Sequence, residues 1–250
     1  MTWRQKQKLW YGFIFALVVL ALLYPLYLTV KPAPTCFDRK LNQNEEEVDC
    51  GGACLSCSIF KLQNVKTYTT SYFVYADNSL DMVAEVENPN DGWGLREFSY
   101  QFIIQGTGGE QAIISGNSFI YPRQRKYVTA LNRQLPAFPI KNIILSASSR
   151  RENWSEIGVD PVKVNLLNYS FENNALSAEI INAADKTYAP LTLRFVIFDA
   201  SDTMVGVVES TLSSLEPLQR QTIRLSLPPF QESPASVIFE ADSNVFEGNF

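Results

Sequence analysis

From Ile59 onward, apolar and polar residues alternate with a period of two, and no long stripe at helical spacing appears. Phe98, Tyr100, Phe102 and Ile104 fall on one strand face, with Ser99 and Gln101 opposite. Leu191, Leu193, Phe195 and Ile197 repeat that arrangement against Thr192 and Arg194, and Leu176, Ala178 and Ile180 alternate with Ser177 and Glu179. Turn-forming clusters separate these runs: Asp77-Asn78, Asn88 to Gly92, Gly106 to Gly109, Asn173-Asn174 and Asp199 to Asp202. Short alternating strands punctuated in this way predict antiparallel β-sandwiches of the immunoglobulin-like kind.

The N-terminus follows another rule. No charged side chain occurs from Leu9 to Val30, and a helix of that length spans about 33 Å, enough to cross a hydrocarbon core. Trp10, Tyr11, Tyr24 and Tyr27 lie towards its ends, where amphipathic rings favour the headgroup region. Arg4, Lys6 and Lys8 precede it without an acidic neighbour, which predicts a cytoplasmic tail over 1–8, a transmembrane helix over 9–30 and an extracytoplasmic remainder. A cleaved signal peptide is the alternative, but the exit Tyr24-Pro25-Leu26-Tyr27-Leu28-Thr29-Val30 has no small-x-small site. Pro25 is expected to kink the outer end, and Lys31-Pro32-Ala33-Pro34 reads as a stiff spacer.

The β region repeats itself. Ala84-Glu85-Val86-Glu87-Asn88 matches Ala178-Glu179-Ile180-Ile181-Asn182, Pro122-Arg123-Gln124-Arg125 matches Pro217-Leu218-Gln219-Arg220, and Leu135-Pro136-Ala137-Phe138 matches Leu227-Pro228-Pro229-Phe230. Asn142-Ile143-Ile144 matches Ser236-Val237-Ile238. Ordered matches at a nearly constant offset predict tandem domains, 59–152 and 153–250, with the junction between Asn153 and Asp160. The fold class is therefore all-β, with an N-terminal transmembrane helix, a small cysteine-rich module over 31–58 and two sandwiches.

Composition removes several function classes. The 250 residues contain no histidine, which excludes Ser-His-Asp and Cys-His catalysis and histidine-ligated zinc. The net charge is −5, and without Arg4, Lys6 and Lys8 the expected exported part holds 18 basic and 26 acidic residues, net −8. No basic surface for nucleic acid is expected.

All four cysteines, Cys36, Cys50, Cys54 and Cys57, fall within one short segment. In an exported chain they predict two disulfides, with three pairings open. A four-thiolate zinc site, an iron–sulfur site and a redox pair at Cys54 and Cys57 are the alternatives. The intervening loop is rich in oxygen donors, and Asp38, Asn42, Glu45 and Asp49 are candidate Ca²⁺ ligands; a solvated acidic loop is the plainer outcome. The spacing from Cys36 through Asp38, Asn42, Glu45, Asp49-Cys50-Gly51-Gly52 and Cys54 to Cys57 resembles a cysteine module of exported bacterial proteins. Arg39 stands where that module has glycine.

The repeat unit resembles the FxLYD-type and late-embryogenesis-abundant type 2-like β-sandwiches. The second copy carries the likeness in Glu179-Ile180-Ile181-Asn182, in Leu193 to Asp199, and in Val205-Gly206-Val207 followed by Leu215-Glu216-Pro217. Leu218 replaces the glycine after the proline, so a different turn is expected. The resemblance implies a non-catalytic domain on an exported or anchored protein.

Few residues suggest chemistry. Glu85 and Glu179 occupy equivalent strand positions in separate domains, which suits exposed polar faces rather than a catalytic pair. Arg125 and Arg220 read as edge residues, and Gly106-Thr107-Gly108-Gly109 reads as a hairpin loop without a phosphate-binding helix. Trp93, between Gly92 and Gly94, is a candidate partner-binding residue, although it can also fold back onto the core. Trp154 is expected to pack at the domain junction. Asn153-Trp154-Ser155 and Asn168-Tyr169-Ser170 match the glycosylation sequon. The expectation is a non-enzymatic, membrane-anchored interaction or scaffold protein of the cell envelope, with a protein partner. Carriage of an apolar ligand and thiol-disulfide exchange at Cys54 and Cys57 are the alternatives.

Overall fold

A computed structural model describes residues 3–30, 35–42, 44–157, 162–230, 232–244 and 246. The chain divides into two compact units, Met1–Ser58 and Ile59–Phe250.

In the first unit, helix α1 runs over Trp3–Val30 and continues through Pro25. It begins earlier than the expected span, so Arg4, Lys6 and Lys8 belong to its first turns. It is long and apolar enough to cross a membrane, and none of its apolar window is buried by protein. The expected spacer at 31–34 lies outside the described residues. The module that follows has little regular structure beyond one Glu47–Cys50 bridge and is closed by two disulfides.

Among its described residues, the second unit has thirteen strands: β1 (Lys66–Val74), β2 (Ser79–Glu87), β3 (Trp93–Gly106), β4 (Gln111–Ile120), β5 (Arg125–Gln134), β6 (Ile140–Ser148), β7 (Trp154–Glu156), β8 (Val164–Glu172), β9 (Ala175–Asn182), β10 (Leu191–Phe198), β11 (Met204–Leu212), β12 (Arg220–Ser226) and β13 (Ser236–Asp242). The first sandwich pairs sheet β1-β2-β5 with sheet β4-β3-β6, and the second pairs β8-β9-β12 with β11-β10-β13. Strand for strand, the topology is the same, which is how the internal repeat appears in three dimensions. The predicted alternation fills each core. Leu80, Met82, Phe98, Phe102 and Ile104 are almost wholly buried in the first, and Leu176, Ile180, Leu193, Phe195 and Ile197 in the second.

β7 pairs with β3, setting Leu95 opposite Trp154, and Trp154 is buried in the first core. Pairing with the first sandwich therefore runs on to Glu156, within the expected junction of 153–160; residues 158–161 lie outside the described residues.

The repeated Asn is a structural pin. Asn88 and Asn182 are fully buried at the ends of β2 and β9. The Asn88 amide donates to the carbonyls of Trp93 and Tyr121 at 2.7 and 2.9 Å, and its oxygen accepts from Asn90 N–H. The Asn182 amide donates to Lys186 and Leu215 carbonyls at 2.8 and 2.9 Å, and its oxygen accepts from Ala184 N–H. One side chain in each sandwich thus satisfies loop groups that burial would otherwise leave unpaired. Leu218 adopts φ +57° and its repeat partner Arg123 also has φ +57°. Both repeats therefore place a left-handed residue other than glycine at this position, at a steric cost.

Candidate functional site

The cysteines pair as Cys36–Cys54 and Cys50–Cys57. Cys54 and Cys57, the pair of the alternative redox reading, belong to different disulfides, so the two sulfurs do not form one exchangeable bond. All four sulfurs are oxidised, and a disulfide has no thiolate for zinc or an iron–sulfur cluster. The pairing knits the two ends of the loop. Gly51 and Gly52 have φ +79° and +59°, and a Cβ on Gly52 would lie 2.1 Å from the Asn44 carbonyl oxygen. Arg39, in the position where the resembled module has glycine, also has φ +59°.

The candidate calcium ligands act first as loop braces. Asp38 accepts from Lys40 N–H and from the Asn42 amide, both at 2.9 Å. Glu45 accepts from the N–H groups of Asn42 and Asp49, and Asp49 accepts from Arg39 N–H. The Asn42 hydrogen bond holds the Asp38 carboxyl below its ordinary pKa, against the opposing effect of desolvation. Among the described residues, Asp38, Glu45 and Asp49 do not gather as a trio with oxygens within 4.8 Å of one another. Asn42 Oδ1 is enclosed without a hydrogen-bond partner.

Trp93 opens β3, is partly buried, and packs against the first core. Its backbone carbonyl accepts from the Asn88 amide. The two repeated glutamates brace their sheets: Glu85 pairs with Arg125, with one contact of 2.7 Å, and Glu179 pairs with Arg220 at 3.7 Å. Gly106 to Gly109 forms the β3–β4 hairpin. Of the sequon asparagines, Asn168 is exposed on edge strand β8, and Asn153 donates to the Glu97 carbonyl.

The most elaborate chemistry lies where sequence alternation signalled only a polar face. The outer face of β2 packs on the outer face of β10 and β11, with Val83, Val196 and Val207 closed to solvent. Beside this apolar contact lies a buried ionic cluster. Arg194 reaches Glu209, Glu240 at 3.0 Å and Asp242 at 3.5 Å. Lys126 from the first sandwich meets Asp242 at 2.6 Å, donates to the Phe119 carbonyl at 3.2 Å and lies 4.2 Å from the centre of the Phe119 ring. Tyr127 N–H donates to Glu240 and Thr129 Oγ1 to Glu209, at 3.1 and 2.9 Å.

Electrostatics follow from this closure. Burial pulls the Lys126 ammonium down, while Asp242 works to restore it. Burial tends to raise the Asp242 carboxyl, but Lys126 and Arg194 outweigh it and hold the group below its ordinary value. Glu240 is raised, mainly by burial, despite Arg194. Asp81, which accepts from Asn132 N–H at 2.6 Å and Tyr75 hydroxyl at 3.1 Å, is also raised by burial. The available sequence signal was the near-continuous apolar run Phe195-Val196-Ile197-Phe198, which suits a strand covered on both faces.

The C-terminal segment returns to the first sandwich. Tyr121 hydroxyl bonds the Ser243 carbonyl, and the Phe246 ring stacks on Tyr121 with centroids 5.8 Å apart. A cleft of about 420 Å³ opens where edge strands β1 and β11 approach, lined by Tyr72, Val74, Met204, Val205 and Phe230 among others.

No family model and no curated protein matches the chain. Among solved structures, red sea bream transglutaminase is similar over 73% of this chain, at 10% identity and a TM-score of 0.22. The match spans 29% of that structure, and at this score it carries no argument about fold or chemistry.

Proposed function

We propose that this chain is a non-catalytic, single-pass scaffold or interaction protein of the cell envelope, with its N-terminus in the cytoplasm and its sandwiches outside. The observation that carries this reading is the sequence of elements: a helix of spanning length and apolarity, followed at once by a module whose four cysteines are all disulfide-bonded. Disulfides persist in oxidising compartments, and the basic residues before the helix favour the cytoplasm. Two sandwiches joined through a buried face offer a stiff platform, on which loops, edges and outer sheet faces remain for a partner.

Protease protection in sealed membranes tests the reading. Added protease should digest residues beyond the helix only from the outside face, and thiol alkylation without reductant should leave all four cysteines unlabelled. A protected C-terminal region with free thiols would overturn both the orientation and the location.

Apolar-ligand carriage is the second reading, and the β1–β11 cleft is the observation that favours it. The space between the sheets is occupied by side chains such as Phe98, Phe102 and Phe195. A fluorescent fatty acid displaced by Phe230→Ala would support carriage; no binding to the intact chain would remove it.

A further inference from the structure

The cysteine module is built inside out. Residues 36–57 contain four large apolar side chains, Phe37, Leu41, Val48 and Leu55, and these are 81%, 64%, 53% and 39% exposed. The buried positions are instead Glu45, Cys50, Gly51 and Cys57. A segment this short has too little surface to build an apolar core, and two disulfides close it in place of one. Its apolar side chains therefore contribute nothing to an interior.

Each of the four adjoins a residue tied to the arm 36–42. Phe37 follows Cys36 and Leu55 follows Cys54, whose Cα atoms lie 5.6 Å apart across their disulfide. Leu41 precedes Asn42, whose amide donates to Asp38, beside Phe37, at 2.9 Å. Val48 precedes Asp49, whose carboxylate accepts from Arg39 N–H at 2.9 Å. Crosslinks and hydrogen bonds thus gather the four exposed positions around one short arm. An apolar patch of this kind marks a contact with protein or membrane.

Two observations favour lipid. α1 ends at Val30 and the first disulfide begins at Cys36, so the intervening chain reaches at most about 22 Å. A bilayer spanned by α1 is therefore within reach of the patch, at the high effective concentration of a short tether. Arg39 and Lys40 are exposed between Phe37 and Leu41, while both Asp38 carboxylate oxygens are engaged by Lys40 N–H and the Asn42 amide. That order suits an interface, where cations stay at headgroup phosphates while their stems and apolar neighbours enter the acyl boundary. Five acidic residues against two basic ones across 36–57 select zwitterionic over anionic headgroups. We propose that the module lies on the outer leaflet, with Phe37, Leu41, Val48 and Leu55 inserted among zwitterionic phospholipids and Arg39 and Lys40 at their phosphates. This contact rests on the anchoring proposed above.

The full-length chain, carrying a benzophenone amino acid at Leu41 and reconstituted in phosphatidylcholine vesicles, provides the test. Irradiation should give a phospholipid adduct on the peptide that holds position 41, read by mass spectrometry. Phe37→Ser/Val48→Ser/Leu55→Ser should reduce the adduct at least about tenfold, with both disulfides still mapped as in the parent. Phe37→Ser alone should reduce it in the same direction, and decides the matter if the triple variant loses its pairing. An undiminished adduct in these variants would overturn the proposal, since the tether alone would then bring the module to lipid. A chain that floats with the vesicles yet gives no phospholipid adduct would also overturn it, as would crosslinking to the sandwiches or to a second copy instead. A chain that does not float fails the anchoring, and the lipid contact falls with it.

Discussion

Lys126 and Asp242 form a 2.6 Å ion pair between the first and second sandwiches, and neither side chain is more than 8% exposed. Removing one partner leaves the other buried and uncompensated, so Asp242→Ala should lower stability by about 3–5 kcal/mol. Replacing both with apolar residues of similar size, Lys126→Met with Asp242→Leu, should recover most of that loss. Denaturant midpoints of the two variants check the difference. Equal losses would mean that the pair is not a closed unit.

Asn88 and Asn182 perform the same work in the two repeats. Truncating either to alanine removes that partner from two carbonyls and one backbone N–H, and in Asn88 also from the Asn90 side-chain amide; an unsatisfied buried group costs about 1–3 kcal/mol. Asn88→Ala and Asn182→Ala should therefore each lower the melting temperature by a similar amount. A large asymmetry in calorimetry would show that only one sandwich depends on its pin.

Acid should act in two opposing stages. Burial raises the Glu240 carboxyl above its unfolded value of 4.5, so its contribution is fully present below that value and is lost as pH rises through the folded pKa. Asp242 is depressed below 3.8, so its contribution is present above that value and is lost as pH falls through the folded pKa. Glu240→Gln should accordingly reduce the stability gained on moving from neutral pH towards 4.5, while leaving the loss at lower pH in place. Urea denaturation across pH reads both stages, and an unchanged profile in the variant would exclude Glu240 as the source.

Gly52 has φ +59°, and an added Cβ would meet the Asn44 carbonyl at 2.1 Å. Gly52→Ala should prevent the module from closing as observed, and peptide mapping should reveal loss of the Cys36–Cys54 and Cys50–Cys57 pairing. Native pairing in that variant would mean that the Asn44 loop can move aside without cost.

Much of the architecture is legible in the chain because it depends on neighbours in sequence. The uncharged run from Leu9 to Val30 lies within one continuous helix that is long and apolar enough to cross a membrane. Alternation in β3 and β10 identifies their core faces, and the repeated Asn and Pro-x-Gln-Arg segments disclose the tandem sandwiches. Clustered cysteines announce two crosslinks. Their pairing depended on the loop path, because Cys36 and Cys54 become neighbours only after Gly51 and Gly52 turn the chain.

The tertiary structure decided what happens to the polar faces. Alternation places Arg194 on the face opposite Leu193 and Phe195, but a period-two pattern distinguishes one face from the other without specifying what covers each. Packing of β2 on β10 turned Arg194 from a surface residue into the centre of a buried cluster, and the same event buried Val83 and Val196. Trp154 similarly joined the first core by a pairing 59 residues away from Leu95 in sequence. Local pattern sets which way a side chain points; only the arrival of a distant surface sets whether water remains there.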